Sequence, residues 1–243
     1  MGERTNSFGQ PIGFPIADWS PRQRPSREVL EGRYCRLERL DPVRHTAELY
    51  EANSADDGRG WTYMAYGPFS SQDEYAEWVK KVAASQDPFF YTVIDKRSGR
   101  AAGVASLMRI DPVNGVIEVG HIKYSPALQR TIGATEAMYL LMQYVFDELD
   151  YRRYEWKCDS LNEPSKAAAV RLGFTYEGLF RQAVVYKGRN RDTAWFSIID
   201  REWPALKSAY EQWLAPTNFD ADGRQRRRLS DLISEARAVA SHS

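Results

Sequence analysis

The sequence is short of the residues that build metal sites and disulfide frameworks. In 243 residues it has two cysteines, Cys35 and Cys158, and three histidines, His45, His121 and His242. Two thiols in a chain this long do not staple a fold, and no Cys or His spacing matches a metal-ligand pattern, so no metal is expected. Long apolar runs are missing too. None reaches the ~18 residues of a membrane span, and the opening MGERTNSFGQ lacks the apolar stretch of a signal peptide. Charge of one sign is not in excess: Lys plus Arg and Asp plus Glu number 33 each. That balance gives no electrostatic reason for nucleic acid or a membrane as the main partner. The expectation is a soluble, cytoplasmic protein.

What is present suffices for a packed interior. Hydrophobic residues make up 43% and charged residues 27%, a globular balance that argues against wholesale disorder. The length suits one large domain with extensions, or two small ones. Residues 1–30 hold Pro11, Pro15, Pro21 and Pro25 with little periodicity. This predicts an extended arm, anchored on the body by the apolar residues of PIGFPIADW. The cluster RQRRR at 224–228 precedes a short helical tail and reads as a solvated terminal element. The arm and the tail at 215–243 could pack against a second subunit, so a homodimer is one expectation.

Between arm and tail, GRYCRLERL (32–40) alternates as a strand. DPVRHTAELYEANS (41–54) starts a helix, with Asp41 as N-cap and Pro42 at the first helical position. A second helix covers 69–85, where Ser71 and Glu74 have capping-box spacing and Tyr75, Trp78, Val79 and Val82 form an apolar stripe. Strands follow at 89–95, 101–110 and 116–124, then a helix to about Asp150, a strand at 152–158 and a helix at 162–174 ending at Gly173. Two strands near 180–187 and 192–200, joined by the turn KGRNRD, precede a helix at 203–214. Three strands in a row and then alternation with helices predict an α/β (α+β) fold: a mixed sheet with helices on both faces.

The stretch SPALQRTIGATEAMYLLMQYVF (125–146) passes from a polar turn to an apolar helix. A helix N-terminus offers unpaired N–H groups to a phosphate. Gly133 and Ala134 are small, Arg130 adds a cation, and Thr131 and Thr135 add hydroxyls. The spacing is neither GxGxxG nor a Gly-Lys-Ser/Thr loop, which disfavours dinucleotides and nucleoside triphosphates. An ordinary strand-to-helix loop would look much the same. Two features favour a ligand. Gly120 inside the preceding strand suggests a bulge or a close backbone approach, which would leave backbone groups free to pair with an extended ligand. Asn162 and Ser165 open a helix followed by three alanines, which leaves room beside it.

LQRTIGATEA (128–137), NEPSKAAAVRLGF (162–174) and YEG (176–178) resemble the GCN5-related N-acetyltransferases. The nearest branch acetylates N-terminal amines of ribosomal proteins, and it has many relatives that acetylate small molecules. The resemblance spans about 31–202 and implies a domain at 31–203, between an arm at 1–30 and a helical tail at 204–243. It implies a central mixed sheet whose middle strands splay to admit acetyl-CoA. Strand 116–124 would pair with the pantetheine amides near Ile122 and Tyr124. Gln129, Arg130, Thr131, Gly133, Ala134 and Thr135 would hold the pyrophosphate, and Asn162 and Ser165 the pantetheine arm or its sulfur end. The family pattern, Gln/Arg-x-x-Gly-x-Gly/Ala, is broken by Ile132, with glycine one place later at Gly133. A β-branched residue resists a positive φ. Either the chain is already helical at Ile132 or the pyrophosphate geometry is altered.

The reaction implied is direct attack of a primary amine, on a small molecule or a peptide or protein N-terminus, on the thioester. The non-catalytic alternative is an acyl-CoA-binding module. Another acyl group, such as succinyl, would want a cation, which Arg109 or Lys123 could supply. Glu118 is the candidate proton acceptor through water, unless it is only a strand carboxylate or salt-bridge partner. Glu155, His121 and Asp159 are its rivals, and strand alternation predicts that His121 faces away from Glu118. A backbone N–H near Ile122 would serve the oxyanion. The branch implies that Ser165 protonates or hydrogen-bonds the departing thiolate, although helix capping also explains a serine there. Cys158 reads as core packing. TYMAYGPF (62–69), with Trp61 before it, either closes the core or lines an acceptor pocket.

Overall fold

The computed structural model of the chain describes residues 4–240. Residues 1–3 of the expected arm and 241–243 of the expected tail, His242 among them, lie outside the described residues. The elements run β1 (Arg4–Thr5), β2 (Pro11–Ile12), β3 (Val29–Glu31), β4 (Cys35–Arg39), α1 (Pro42–Ser54), α2 (Gln72–Ala83), β5 (Phe89–Asp95), β6 (Arg100–Asp111) and β7 (Val116–Tyr124). Then come α3 (Ile132–Gln143), extended by a π-helical turn at Tyr144–Glu148, β8 (Arg153–Asp159), α4 (Glu163–Arg171), β9 (Thr175–Tyr186), β10 (Arg189–Ile199), α5 (Trp203–Leu214) and α6 (Leu229–Ala240).

The sheet has the order β3-β4-β5-β6-β7-β8-β10-β9. Only β7 and β8 are parallel, connected through α3; the other neighbours are antiparallel. This is the mixed sheet the element order predicts. Its main core packs Ile117, Val119, Tyr154, Trp156, Phe196 and Ile198 of the sheet against α3, α4, α5 and α6. On the other face, α1 and α2 pack Leu49, Tyr75 and Val79 over Leu40, Phe90, Ala101 and Val104. The two α-helices of that second layer cover the β4–β6 half of the sheet. Over β7 the layer continues as the 3-10 turn Arg59–Trp61 and the segment after it, with Trp61 over Lys123 and Tyr66 stacked on His121.

Local chemistry fixes the element ends. Asp41 accepts from Val43 N and Arg44 N, and Pro42 occupies the first turn of α1. Ser71 accepts from Glu74 N, but Glu74 reaches back to Ser70 N and Oγ, both at 2.7 Å. The expected capping box is therefore spread over two residues. Glu136 of α3, buried in the core, accepts from the N–H groups of Arg33, Tyr34 and Cys35 at 2.8, 2.6 and 2.8 Å. This carboxylate clips the β3–β4 turn onto α3. A Cβ at Gly32 would lie 2.5 Å from its Oε2.

Three differences from the sequence expectation have physical causes. Val29 and Leu30, the last residues of the expected arm, pair with Glu38 and Leu37 and so join the sheet. The signal is weak because a three-residue edge strand is too short to show alternation. The expected turn KGRNRD is present but shorter than six residues: Tyr186 pairs with Arg189 across Lys187 at φ +48° and Gly188 at φ +69°, the mirror-image geometry that matches strand twist. Finally, α5 is no separate tail, because Leu206, Ala209, Tyr210 and Trp213 are part of the main core.

Candidate active site

The sheet divides in its middle. Val116, Ile117, Glu118 and Val119 of β7 pair with Arg153, Tyr154, Glu155 and Trp156 of β8, and there the ladder ends. Beyond it β7 stays with β6 as far as Tyr124, and β8 stays with β10 as far as Asp159. The two strands therefore part after Val119 and Trp156. A bulge on β7 accompanies the parting: between the pairs Ser106–Gly120 and Val104–Lys123, His121 and Ile122 face Ala105 alone. His121 takes φ +51° there. Gly120 is not the strained residue; a Cβ on it would overlap Met108 Sδ, so its smallness serves a close approach.

The bulge corrects one expectation. Strand alternation would point His121 away from Glu118, but the extra residue resets the alternation. His121 Nδ1 lies 3.1 Å from Tyr66 OH and its ring 5.0 Å from Phe90, on the α2 face that Glu118 shares. Burial, with Arg109 adding to it, lowers the His121 pKa to about 4, so the imidazole is neutral at neutral pH.

At the open end of the gap, α3 begins with Ile132 as its first residue, capped by Thr131, whose Oγ1 accepts from Ala134 N at 3.1 Å. The first of the two alternatives for Ile132 holds: the chain is already helical there. The left-handed residue is Arg130, at φ +62°. The N–H groups of Arg130, Ile132 and Gly133 have no hydrogen bond among the described residues. Gly133 lies close to β4, since a Cβ on it would sit 3.4 Å from Tyr34 O. Gln129 donates to Tyr124 O at 2.9 Å and ties the turn to the end of β7. Thr135 is buried and accepts from the Arg171 guanidinium at 3.0 Å, so its hydroxyl is engaged with α4. Ile122 and Tyr124 pack their side chains on the main core. The Tyr124 hydroxyl is buried without a hydrogen-bond partner among the described residues, and burial pushes its pKa well up.

Across the gap, β8 leads directly into α4. Asn162 caps that helix by accepting from Ser165 N at 3.2 Å. Ser165 Oγ accepts from the Trp156 indole N–H at 3.0 Å. Because Trp156 occupies the last rung of the β7–β8 ladder, this bond holds Ser165 where the strands part. With one lone pair engaged, the hydroxyl proton is directed away from the indole. Burial raises the Cys158 pKa, and the Ser165 hydroxyl opposes that rise. Cys158 is buried in the main core. Nothing in the sequence linked Trp156 to Ser165, because a strand residue and a helix residue nine positions apart share no periodicity.

Glu118 is buried, and desolvation raises its pKa against the opposing pull of Lys157 and Arg109. Lys157 Nζ lies 2.9 Å from Glu118 and 2.6 Å from Glu155, with Trp195 beneath it at 3.8 Å. Glu155 also accepts from Arg153 at 2.6 Å, and Arg153 continues to Glu177. Glu118 is thus both a salt-bridge partner and a carboxyl held closer to neutral pH than an ordinary glutamate. Asp159 accepts from Tyr186 OH at 2.8 Å and Leu161 N at 2.9 Å.

The segment between α1 and α2 closes over this side. Lys187 donates to Trp61 O at 2.9 Å and Gly67 O at 2.6 Å, Arg189 to Thr62 O at 2.9 Å, and Tyr63 OH to Leu161 O at 3.0 Å. Trp61, Tyr66, Phe69, Tyr75 and Trp78 form an aromatic cluster in the second core. Trp61 is buried, while Tyr66 is half-buried against His121. Lys123, a candidate acyl-end cation, is spent on Asp56, 2.7 Å away in a buried pair. A cavity of about 420 Å³ between β4, α1 and α2, lined by Glu38, Arg39, Asp41, Arg44 and Lys80, shares none of these residues.

The chain matches a family described as Acetyltransferase (GNAT) domain over residues 36–175. It is 31% identical to a Bacillus subtilis protein named as a ribosomal N-acetyltransferase, YdaF, over 66% of this chain and 87% of that one. It is similar to the crystal structure of a GCN5-related N-acetyltransferase from Brucella melitensis, with 52% identity and a TM-score of 0.89, over 90% of this chain and all of that one (100%). A GNAT-family structure from Chromobacterium violaceum is 40% identical with a TM-score of 0.75, over 80% and 98% of the two chains.

Proposed function

The chain belongs to the acetyltransferase (GNAT) family and is an acyltransferase, and from that premise we propose that it acetylates a primary amine, on a peptide or protein N-terminus or on a small molecule. The family uses acetyl-CoA as co-substrate. The observation that carries the reading is the parting of β7 and β8 beside a helix start with three unbonded N–H groups. Such a start suits a pyrophosphate. We assign it to Arg130, Ile132 and Gly133, with Gln129, Thr131 and Ala134 shaping the turn and Thr135 holding Arg171 beside it. The free edge of β7 near Ile122 and Tyr124 would pair with the pantetheine amides, and Asn162 and Ser165 would border the sulfur end.

Glu118 would take the ammonium proton through water, leaving a lone pair on nitrogen for the thioester carbonyl. A backbone N–H near Ile122 would stabilise the oxyanion. As the C–S bond breaks, the Ser165 hydroxyl would donate its proton to the departing sulfur and regain one from the attacking nitrogen, which must shed its second proton to become the amide, with Trp156 fixing the hydroxyl's direction. The relative named as a ribosomal N-acetyltransferase supports a protein N-terminus as acceptor and a cytoplasmic location. Among the described residues no helix is long and apolar enough to cross a membrane. The catalytic unit would be 31–203 with α5 packed on it. A homodimer is supported by Phe8, Ile12, Phe14 and Ile16 of the arm, all exposed; sedimentation showing only monomer would count against it.

The test is thiol release from acetyl-CoA across a panel of amines. Release should fall on the order of 10²-fold or more in Glu118→Gln and in Ser165→Ala. Calorimetric binding of coenzyme A with no release for any amine would instead favour a non-catalytic acyl-CoA-binding module.

A further inference from the structure

The ladder between β6 and β7 contains two bulges, and they flank Glu118. One is centred on His121. The other lies on β6, where Arg109 and Ile110 face Ile117 alone, between the pairs Met108–Glu118 and Asp111–Val116. Arg109 there takes φ +48°. A non-glycine residue in that region costs about 1–2 kcal/mol and persists only when its surroundings hold it. Asp87 does so, accepting from Arg109 N at 2.8 Å and Ile110 N at 3.0 Å.

The strained backbone carries the guanidinium to the edge of the candidate site. Arg109 Nε lies 3.4 Å from Glu118 Oε2, and the side chain is 57% exposed. Its two terminal amino groups have no hydrogen bond among the described residues. The neighbouring cations differ. Lys157 and Lys123 are buried, and each is held by carboxylates, Glu118 with Glu155 for the first and Asp56 for the second. Arg153 is engaged by Glu155 and Glu177. Neutralising Glu118 does not require Arg109, since Lys157 already lies closer. The outward edge of the Arg109 fork has the geometry that grips a carboxylate through two parallel hydrogen bonds.

Building on the proposed function, we infer that Arg109 selects acceptors carrying a side-chain carboxylate a few bonds from the amine that is acetylated. The amine would sit by Glu118 and the carboxylate on the free edge of Arg109. Either an acidic peptide N-terminus or a free dicarboxylic amino acid presents this pair of groups.

The experiment compares isosteric acceptors: the amidated peptides Ser-Asp-Ala-Ala and Ser-Asn-Ala-Ala, and free aspartate against free asparagine. Wild type is expected to favour the acidic member of at least one pair by roughly tenfold in kcat/KM, carried mainly by KM. The pair that shows the preference identifies the source. Arg109→Gln should bring the ratio near one, and Arg109→Lys should keep part of it. Any change in Glu118 acts on both members of a pair and cancels in the ratio, and a circular-dichroism melt checks that the variants fold. Equal efficiency in wild type, or a preference unchanged in Arg109→Gln, overturns the inference while leaving acetyl transfer standing. Thiol release from none of the four acceptors, or from any wider amine panel, sinks the proposed function and this inference with it.

Discussion

Trp156 shows how one side chain can set the direction of another. Its indole is buried in the main core, and its single N–H goes to Ser165 Oγ. Trp156→Phe keeps the ring and removes the donor, so the Ser165 hydroxyl becomes free to rotate. The expected result is a kcat reduced by about tenfold, a net hydrogen bond of ~1–1.5 kcal/mol, with the KM for the amine unchanged. Steady-state kinetics on a reactive amine would show it, and equal kcat would remove Trp156 from the mechanism. His121 makes a different prediction. Burial lowers its pKa in the folded chain to about 4, against the ordinary histidine value of 6.5. Between those values the unfolded chain binds the proton and the folded chain does not, so stability rises with pH across that window and is lost as pH falls through it. The loss could reach about 3 kcal/mol. Urea titrations at pH 7 and pH 4.5 should therefore differ less in His121→Gln than in wild type.

At the scale of elements, the clip between α3 and the β3–β4 turn should matter most. Glu136 satisfies three backbone N–H groups at once. Glu136→Ala strands them in the interior and should cost about 3 kcal/mol, read as a lower urea midpoint at constant m-value. The start of α3 separates the two residues around the family's broken pattern. Arg130, not Ile132, holds the positive φ. Arg130→Gly should therefore stabilise the fold by up to about 1 kcal/mol while weakening coenzyme A binding, since the cation is lost. Ile132→Gly should destabilise slightly and leave coenzyme A affinity no better. Thermal shift and calorimetry measure both, and tighter binding by Ile132→Gly would mean that the turn is misassigned.

At the scale of the whole molecule, the two halves of the sheet meet at the β7–β8 rungs, and the arm passes the β6–β7 turn beside them, where Arg22 N bonds Pro112 O at 2.9 Å. The β1–β2 hairpin bonds within itself through Asn6 and Gln10. The hydrogen bonds to the body begin with Trp19, whose indole donates to Val113 O at 2.8 Å and lies under Arg22 and beside Gly115. Deleting residues 1–17 should leave the monomer's Tm within about 2 °C, because so exposed a segment contributes little. Trp19→Ala should lower Tm by several degrees. A large loss from the deletion would show that the hairpin is part of the folding unit.

Much of the element list, and the two motif stretches at 128–137 and 162–174, were legible because their signals are local. Asp41, Ser71 and Asn162 cap helices through bonds to N–H groups two or three residues on, and a short window of sequence contains both partners. The sequence by itself determined the mixed α/β layout, the helix starts and the family. Only the tertiary structure decided that His121 shares a face with Glu118, that Arg130 takes the left-handed turn, and that Trp156 reaches Ser165. It also decided that Arg109 lies beside Glu118, its terminal amino groups without a hydrogen bond among the described residues. These depend on strand register and on contacts between residues far apart in the chain. A single added residue in one strand reverses every side chain beyond it, and nothing in the local pattern records where that residue is placed.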